Sequence, residues 1–377
     1  VPGERHAPTL DGVRFFAFAL VFLHHAYDAS EWNDVLPVKF GQHGVQIFFV
    51  LSGFLIGRIL IGLRERSDLG LGHRAGLFYA RRALRIFPLY YLILSLVSIH
   101  RALHLGILTQ PRWMIAPGWH SLYLTNIVMV VRRMGAGTEG HLWSLCVEEH
   151  FYLLAPMFII GTSRPILSRI LMIAAIINTA VRGWSAWVAD PESTLYFFSP
   201  LHFDTIGMGI VAAIVEKDGA FLGISRARLM RVAKIAGLAI VPLLLPSYIE
   251  HPKFVDLVQS TCLPLCRDVA TAGLLLALWQ NTAPRTCAFF AFRPFAYLGK
   301  ISYGLYLYHL YCLDIALHFA PKGSHLHAAI AIGMTVAIAM VSWHVFEKPI
   351  NDLKNRLQYP ERRVPASFEA MPMSAEG

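Results

Sequence analysis

Arg14 and His25 lie in one apolar run, LDGVRFFAFALVFLHHAY, eleven residues apart. Eleven residues is close to three helical turns, so the two side chains point to nearly the same side of a helix, with about 16 Å of rise between them. Imidazole changes charge near neutral pH, so His25 suits taking a proton from a hydroxyl. The neighbouring His24 points about 100° away. The competing reading is an interfacial histidine and a snorkelling arginine, but Arg14 lies deep in its run. A second string, HLWSLCVEEHFYLLAP, carries Trp143, Ser144, Glu148 and Tyr152. Glu148, Phe151 and Tyr152 share a helix face. A carboxylate at the depth of His25 would hold the imidazole tautomer and raise the basicity of its free nitrogen; a structural ion pair is the alternative.

Further strings add polar groups. FYARRALRIFPLYY holds Arg81, Arg82 and Arg85, with Arg81 and Arg85 four apart on one face. Guanidinium groups match phosphate geometry bidentately, while a plain positive-inside anchor uses the same residues. YLGKISYGLYLYHLY contains Ser302, Tyr303, Tyr306 and His309, the last two sharing a face. There a helix-to-helix hydrogen bond competes with a role in the site. LHFDTIGMGI supplies His202 and Asp204, with Gly207 and Gly209 suited to close helix approach. GVQIFFVLSGFLI supplies Ser52 and Gly53, and Glu347 closes another run.

These residues need elements to position them, and composition says which. Of 377 residues, 55% are hydrophobic and 15% charged, with mean hydropathy +0.50. Soluble domains carry about 25% charged residues. This excludes a soluble enzyme, a disordered chain and a disulfide scaffold. The five cysteines (146, 262, 266, 287 and 312) show no metal or CxxC spacing, and no metal is expected. A crossing helix needs about 20 apolar residues. Ten such runs occur, near 12–30, 43–62, 83–100, 143–161, 167–186, 200–215, 232–248, 257–280, 298–319 and 325–346. The short apolar piece 119–131 reads as re-entrant or interfacial. The expected fold is an all-α polytopic membrane bundle of about ten helices. Residues 1–350 form one transmembrane domain and 351–377 a polar cytoplasmic tail. With the N-terminus inside, 23 Lys and Arg fall on the cytoplasmic side and nine on the other, Arg14 lying within the first span. That bias puts both termini in the cytoplasm.

Taken together, the strings resemble the acyltransferase 3 family of integral membrane acyltransferases, over roughly residues 9–350. The first run resembles the family's Arg-x10-His helix at Arg14 and His25. GVQIFFVLSGFLI and FYARRALRIFPLYY resemble its second- and third-helix motifs. HLWSLCVEEHFYLLAP resembles its Trp-Ser-Leu-x-x-Glu motif at Trp143, Ser144 and Glu148, and ISYGLYLYHL with Glu347 and Pro349 completes the order. Departures are Cys146 and His150, where Ala and Gln are commoner, and His202, where an Arg is often found. Some members carry an SGNH hydrolase-like domain after the bundle; with the chain running only to Gly377, none is expected.

The resemblance implies transfer of an acyl group, usually acetyl from acetyl-CoA, to a hydroxyl of a sugar, glycan or other small molecule at a bacterial plasma (inner) membrane. No permanently bound cofactor and no nucleic acid is implied. CoA phosphates would meet Arg81, Arg82 and Arg85, and the pantetheine arm would pass Arg14 toward His25. His25 is the candidate base with Glu148 as its orienter; Arg14 is grouped with the catalytic and the donor-binding residues. Ser52, Trp143, Ser144, Tyr152, His202, Asp204, Tyr306 and His309 are expected to line the acceptor side or the site. A covalent acyl-histidine route and direct transfer both remain open. A transporter or proton relay would also bury Arg, His and Glu, but no inverted repeat is visible; a scaffold would not need two buried ionisable clusters. The charge bias makes one direct prediction. Reporter fusions at residue 190 read outside and at residue 223 inside, and the reverse pattern at both sites defeats the orientation.

Overall fold

The computed structural model describes residues 7–27, 40–66, 68–109, 113–188, 194–244 and 253–357. The tail beyond Leu357 and the reporter position 190 lie outside the described residues. In chain order the helices are α1 (Pro8–Tyr27), α2 (Phe40–Arg64), α3 (Leu71–Ala102), α4 (Pro117–Ser121), α5 (Thr125–Arg132), α6 (Leu142–Gly161), α7 (Arg164–Trp187) and α8 (Phe203–Asp218). A two-stranded antiparallel hairpin, β1 (Ala220–Phe221) and β2 (Ile224–Ser225), leads to α9 (Arg226–Leu244). Then come α10 (Lys253–Trp279), α11 (Pro284–Phe290), α12 (Arg293–Lys300), α13 (Ser302–Ala316), α14 (His325–Ser342) and, after a π turn at Trp343–Glu347, α15 (Lys348–Asp352).

Within the described residues, which leave out 28–30 of the first run and 245–248 of the seventh, each of the ten expected runs falls on helix. Six of these, α2, α3, α6, α7, α10 and α14, are long and apolar enough to cross a membrane by length and composition alone. The ninth run is broken at Ile301 into α12 and α13. The 119–131 piece is not a span: α4 has five residues and α5 has eight, and eight residues rise only about 12 Å. Burial separates outer from central helices. On α7, Met172, Ile173, Ile176, Ile177 and Trp184 are exposed, and on α9 Ile235, Leu238 and Val241. Apolar patches of that extent belong against lipid rather than water. In contrast α13 buries Ser302, Leu305, Tyr306, His309, Cys312 and Leu313 around its circumference, as a helix enclosed by protein does.

Helices α2 and α8 cross backbone to backbone. A Cβ added at Gly53 would fall 1.9 Å from the Ile206 carbonyl oxygen, and one at Gly209 would fall 2.0 Å from that of Val50. Both neighbours are backbone, so no side chain can swing away. Without a hydrophobic drive between helices in lipid, such small-residue contacts supply the packing. They also lock the α2 face bearing Ser52 beside Gly53. Gly207 differs, since its added Cβ would meet only the Leu171 side chain, at 3.0 Å. Gly209→Ala should therefore lower the unfolding temperature in detergent, costing more than the ~1–3 kcal/mol typical of overpacking. Gly207→Ala should be near neutral. Equal effects would remove the backbone crossing as a source of stability.

Candidate active site

Two cavities lie back to back in the bundle, one at the histidine end of α1 and one at its arginine end. The histidine cavity, about 490 Å³, is lined by His24, His25, Gln42, Trp143, Tyr306 and His327 among others. The arginine cavity is narrower, about 110 Å³, and is lined by Arg14, Ser52, Arg82, Arg85, Glu148 and Tyr152 among others. Val45 and Tyr306 belong to both linings and form the shared wall.

In the histidine cavity a chain of bonds sets the proton positions. His309 Nδ1 lies 2.6 Å from the Tyr306 carbonyl oxygen, which can only accept. For a neutral ring the proton therefore sits on Nδ1, and Nε2 is an acceptor. His25 Nδ1 lies 3.0 Å from that Nε2 and donates to it. A neutral His25 then carries its lone pair on Nε2, the form a proton acceptor needs. His309 is fully buried, its ring walled by Phe18, His141 and Tyr306, so it cannot turn freely. Tyr306 is fixed too, its hydroxyl 2.7 Å from Ser144 Oγ and 3.1 Å from the His141 carbonyl.

The rim of this cavity includes the loop Gly135–Gly140. Gly137 there has φ +61°, a left-handed conformation suited to glycine. The loop is anchored by Glu139, which accepts from Arg101 Nη2 at 2.7 Å in a buried ion pair. Burial pushes the Glu139 carboxyl up to about 7, against the pull of Arg101 downward. Such a pair holds geometry more than it adds stability.

In the arginine cavity, Tyr152 donates to Glu148 Oε2 at 2.7 Å, which leaves Ser52 Oγ, 2.5 Å from the tyrosine oxygen, to donate in turn. The Arg82 guanidinium lies over the Phe78 and Tyr152 rings, 5.8 and 5.9 Å from their centroids. Arg14 is ion-paired to Asp11. Three guanidinium groups thus line a narrow cavity, a setting that suits phosphate.

The expected residues divide between the cavities and their supports. Trp143, Tyr306 and His25 line the histidine cavity, and Arg14, Ser52, Arg82, Arg85, Ser144, Glu148, Tyr152 and again Tyr306 line the other. Glu148, expected beside His25, lies in the arginine cavity instead, and the ring partner of His25 is His309. The reason is depth: Ser144, in the first turn of α6, already lines the arginine cavity, and the residue level with His309 is His141, with ring centroids 5.2 Å apart. Arg81 is not among the lining residues either. Its guanidinium is 3.0 and 3.4 Å from the carbonyls of Leu357 and Lys354, so the pair facing the cavity is Arg82 and Arg85, at i and i+3. His202 and Asp204, expected to line the site, stand behind it. His202 Nε2 is 2.6 Å from the Tyr196 carbonyl and Nδ1 is 3.1 Å from Gln46; Asp204 accepts from Arg182 at 2.6 Å and Asn178 at 3.0 Å. His24, assigned to another face, nonetheless reaches the histidine cavity. Sequence reasoning missed Glu149 in the arginine cavity and His141, His327 and Lys322 in the other. His141 stood in the quoted string, but His327 and Lys322 lie in no motif.

The family model described as an acyltransferase domain, acyltransferase 3, matches residues 8–344. The chain belongs to the acyltransferase 3 family. The match takes in every residue of both cavity linings. The peptidoglycan O-acetyltransferase OatA of Listeria monocytogenes is 26% identical over 370 residues, which cover 92% of this chain and 56% of that protein. A putative peptidoglycan O-acetyltransferase of Bacillus subtilis is 25% identical over 368 residues, 92% of this chain and 55% of its own length. An O-acetyltransferase OatA of Staphylococcus aureus is 24% identical over 372 residues, 92% and 57% respectively. This acyltransferase 3 chain thus spans a little over half the length of the curated relatives it matches. No solved structure matches it.

Proposed function

We propose that this chain is a membrane O-acyltransferase that moves an acetyl group from acetyl-CoA to a hydroxyl of a glycan, with His25 as the base. The observation that carries the reading is the bond chain from the Tyr306 carbonyl through His309 to His25, which leaves an unprotonated nitrogen on a neutral imidazole. The family match and the O-acetyltransferases among its relatives support the reaction class. In this reading the arginine end faces the cytoplasm of a bacterial inner membrane, in keeping with the Lys and Arg bias, and the histidine cavity faces the outside. CoA phosphates meet Arg82 and Arg85, and the thin acyl-pantetheine arm follows the narrow cavity past Arg14 to the wall at Tyr306.

An alcohol is too weak an acid to ionise alone, so a positioned base is needed. His25 Nε2 takes the acceptor hydroxyl proton as that oxygen attacks the thioester carbonyl. The tetrahedral adduct collapses, the C–S bond breaks, and the departing thiolate takes the proton from the imidazolium. His309 holds the ring of His25 in the required tautomer throughout.

Purified protein in liposomes with labelled acetyl-CoA and glycan strands tests this. His25→Ala and His25→Gln should each lower transfer by the ~10²–10⁴-fold worth of a base while CoA still binds. His24→Ala should cost far less. His309→Ala should cut kcat with little change in KM, and His309→Gln, which can both accept and donate, should restore part of it. Transfer by His25→Gln at the parent rate would exclude the imidazole as base.

The donor makes a separate prediction. Arg82→Ala and Arg85→Ala should each raise the CoA dissociation constant about tenfold, the scale of one charge-assisted hydrogen bond. Arg81→Ala should leave it nearly unchanged, because its guanidinium is committed to the Lys354 and Leu357 carbonyls. Added salt should weaken binding. Unchanged affinity in all three variants would reduce the cluster to a topology anchor.

A further inference from the structure

We infer that the histidine cavity takes an acceptor sugar bearing an anionic group, with Lys322 as its counter-charge and His327 accepting a hydrogen bond from one of its hydroxyls. The inference rests on the acyltransferase reading and names the acceptor class it serves. Lysine and aspartate contribute one residue each to the described lining, Lys322 and Asp314. Asp314 is turned into the wall, its Oδ2 accepting from the Thr109 N–H at 2.8 Å and its Oδ1 from the Thr109 hydroxyl. Lys322 has no ion pair among the described residues and lines the same cavity as His25. Lys322 is exposed, so a carboxylate or phosphate beside the reacting hydroxyl would meet this ammonium through an attraction that solvent and salt screen in part.

His327 gives an independent indication. Its Nε2 lies 2.9 Å from the Leu313 carbonyl, so in a neutral ring Nε2 holds the proton and Nδ1 is a bare acceptor. The residue is 1% exposed, and Nδ1 has no partner among the described residues. A buried acceptor left unmet is costly, and a sugar hydroxyl entering the cavity would satisfy it. Both side chains are held in register by one turn. Gly323, with φ +82°, carries the chain from α13 to α14; Ser324 Oγ donates to the Pro321 carbonyl at 2.8 Å and accepts from the His327 N–H at 3.1 Å. Trp143 and Tyr196 supply aromatic faces across the same cavity, on which a sugar ring can lie. The volume of about 490 Å³ falls within the usual range for small-molecule sites.

Binding can be read without catalysis, which separates this inference from the acyltransferase reading. Methyl glucuronide, glucose 6-phosphate and methyl glucoside are titrated against the full chain in detergent by calorimetry. The parent should bind the two acidic sugars at least fivefold more tightly than the glucoside. The stronger of the two distinguishes a carboxylate from a phosphate acceptor. Lys322→Ala should remove that preference while leaving the glucoside unchanged, and Lys322→Glu should invert it. His327→Phe should weaken all three alike. Equal binding of acidic and neutral sugars by the parent, or a preference that survives Lys322→Glu, overturns the inference. Absence of acetyl transfer to glycan strands by the parent would instead count against the acyltransferase reading.

Discussion

A histidine inside an apolar bundle can present a bare nitrogen only if something else takes charge of the other one. Here that service is the bond from His25 Nδ1 to His309 Nε2, itself fixed by the Tyr306 carbonyl. The requirement propagates outward. His309 must sit where α1 meets α13, so α13 must be enclosed; Tyr306 must be held, so Ser144 and the His141 carbonyl face it from the start of α6. Tyr303, one turn earlier, donates to the Ile86 carbonyl of α3 at 2.7 Å. The polar side chains of α13 thus tie three other helices to it through hydrogen bonds that lipid cannot replace.

The orienting group differs from a carboxylate in one respect. A carboxylate would stabilise an imidazolium at His25, whereas a neutral imidazole offers direction and tautomer with little counter-charge. The acids nearest in sequence logic, Glu148 and Glu149, stand on the other side of Tyr306. There Glu148 orders Tyr152 and, through it, Ser52. The bundle therefore keeps Glu148 and Glu149 in one cavity and His25 in the other.

Much of this was legible in the sequence. The helical character of the apolar runs follows from their length, though not the break at Ile301, and the side shared by Arg14 and His25 follows from helical period. The partner of His25 was not legible, because depth depends on where α6 begins relative to α1, and no run length gives that offset. The same limit leaves Arg81 grouped with Arg82 and Arg85: Arg81 and Arg82 both share a face with Arg85, at i+4 and i+3, and only the neighbouring carbonyls of Lys354 and Leu357 set Arg81 apart. His202 and Asp204 were read as lining because buried polar groups in spans suggest function. Their bonds to Gln46, Arg182 and Asn178 make them props for the wall instead.

The shared wall has an electrical consequence. The two cavities share the layer of Val45 and Tyr306. Were water in each cavity to carry the potential of opposite membrane faces inward, the voltage that ordinarily falls over about 30 Å of hydrocarbon would be compressed into that layer. A charge moved across the full membrane potential changes energy by about 2.3 kcal/mol per 100 mV. Moving one from the Glu148 side of Tyr306 to the His25 side would meet most of that difference within a few ångströms. In the acyltransferase reading an uncharged thioester would cross the same layer without feeling it, while protons and phosphates would be held to the compartment in which they begin.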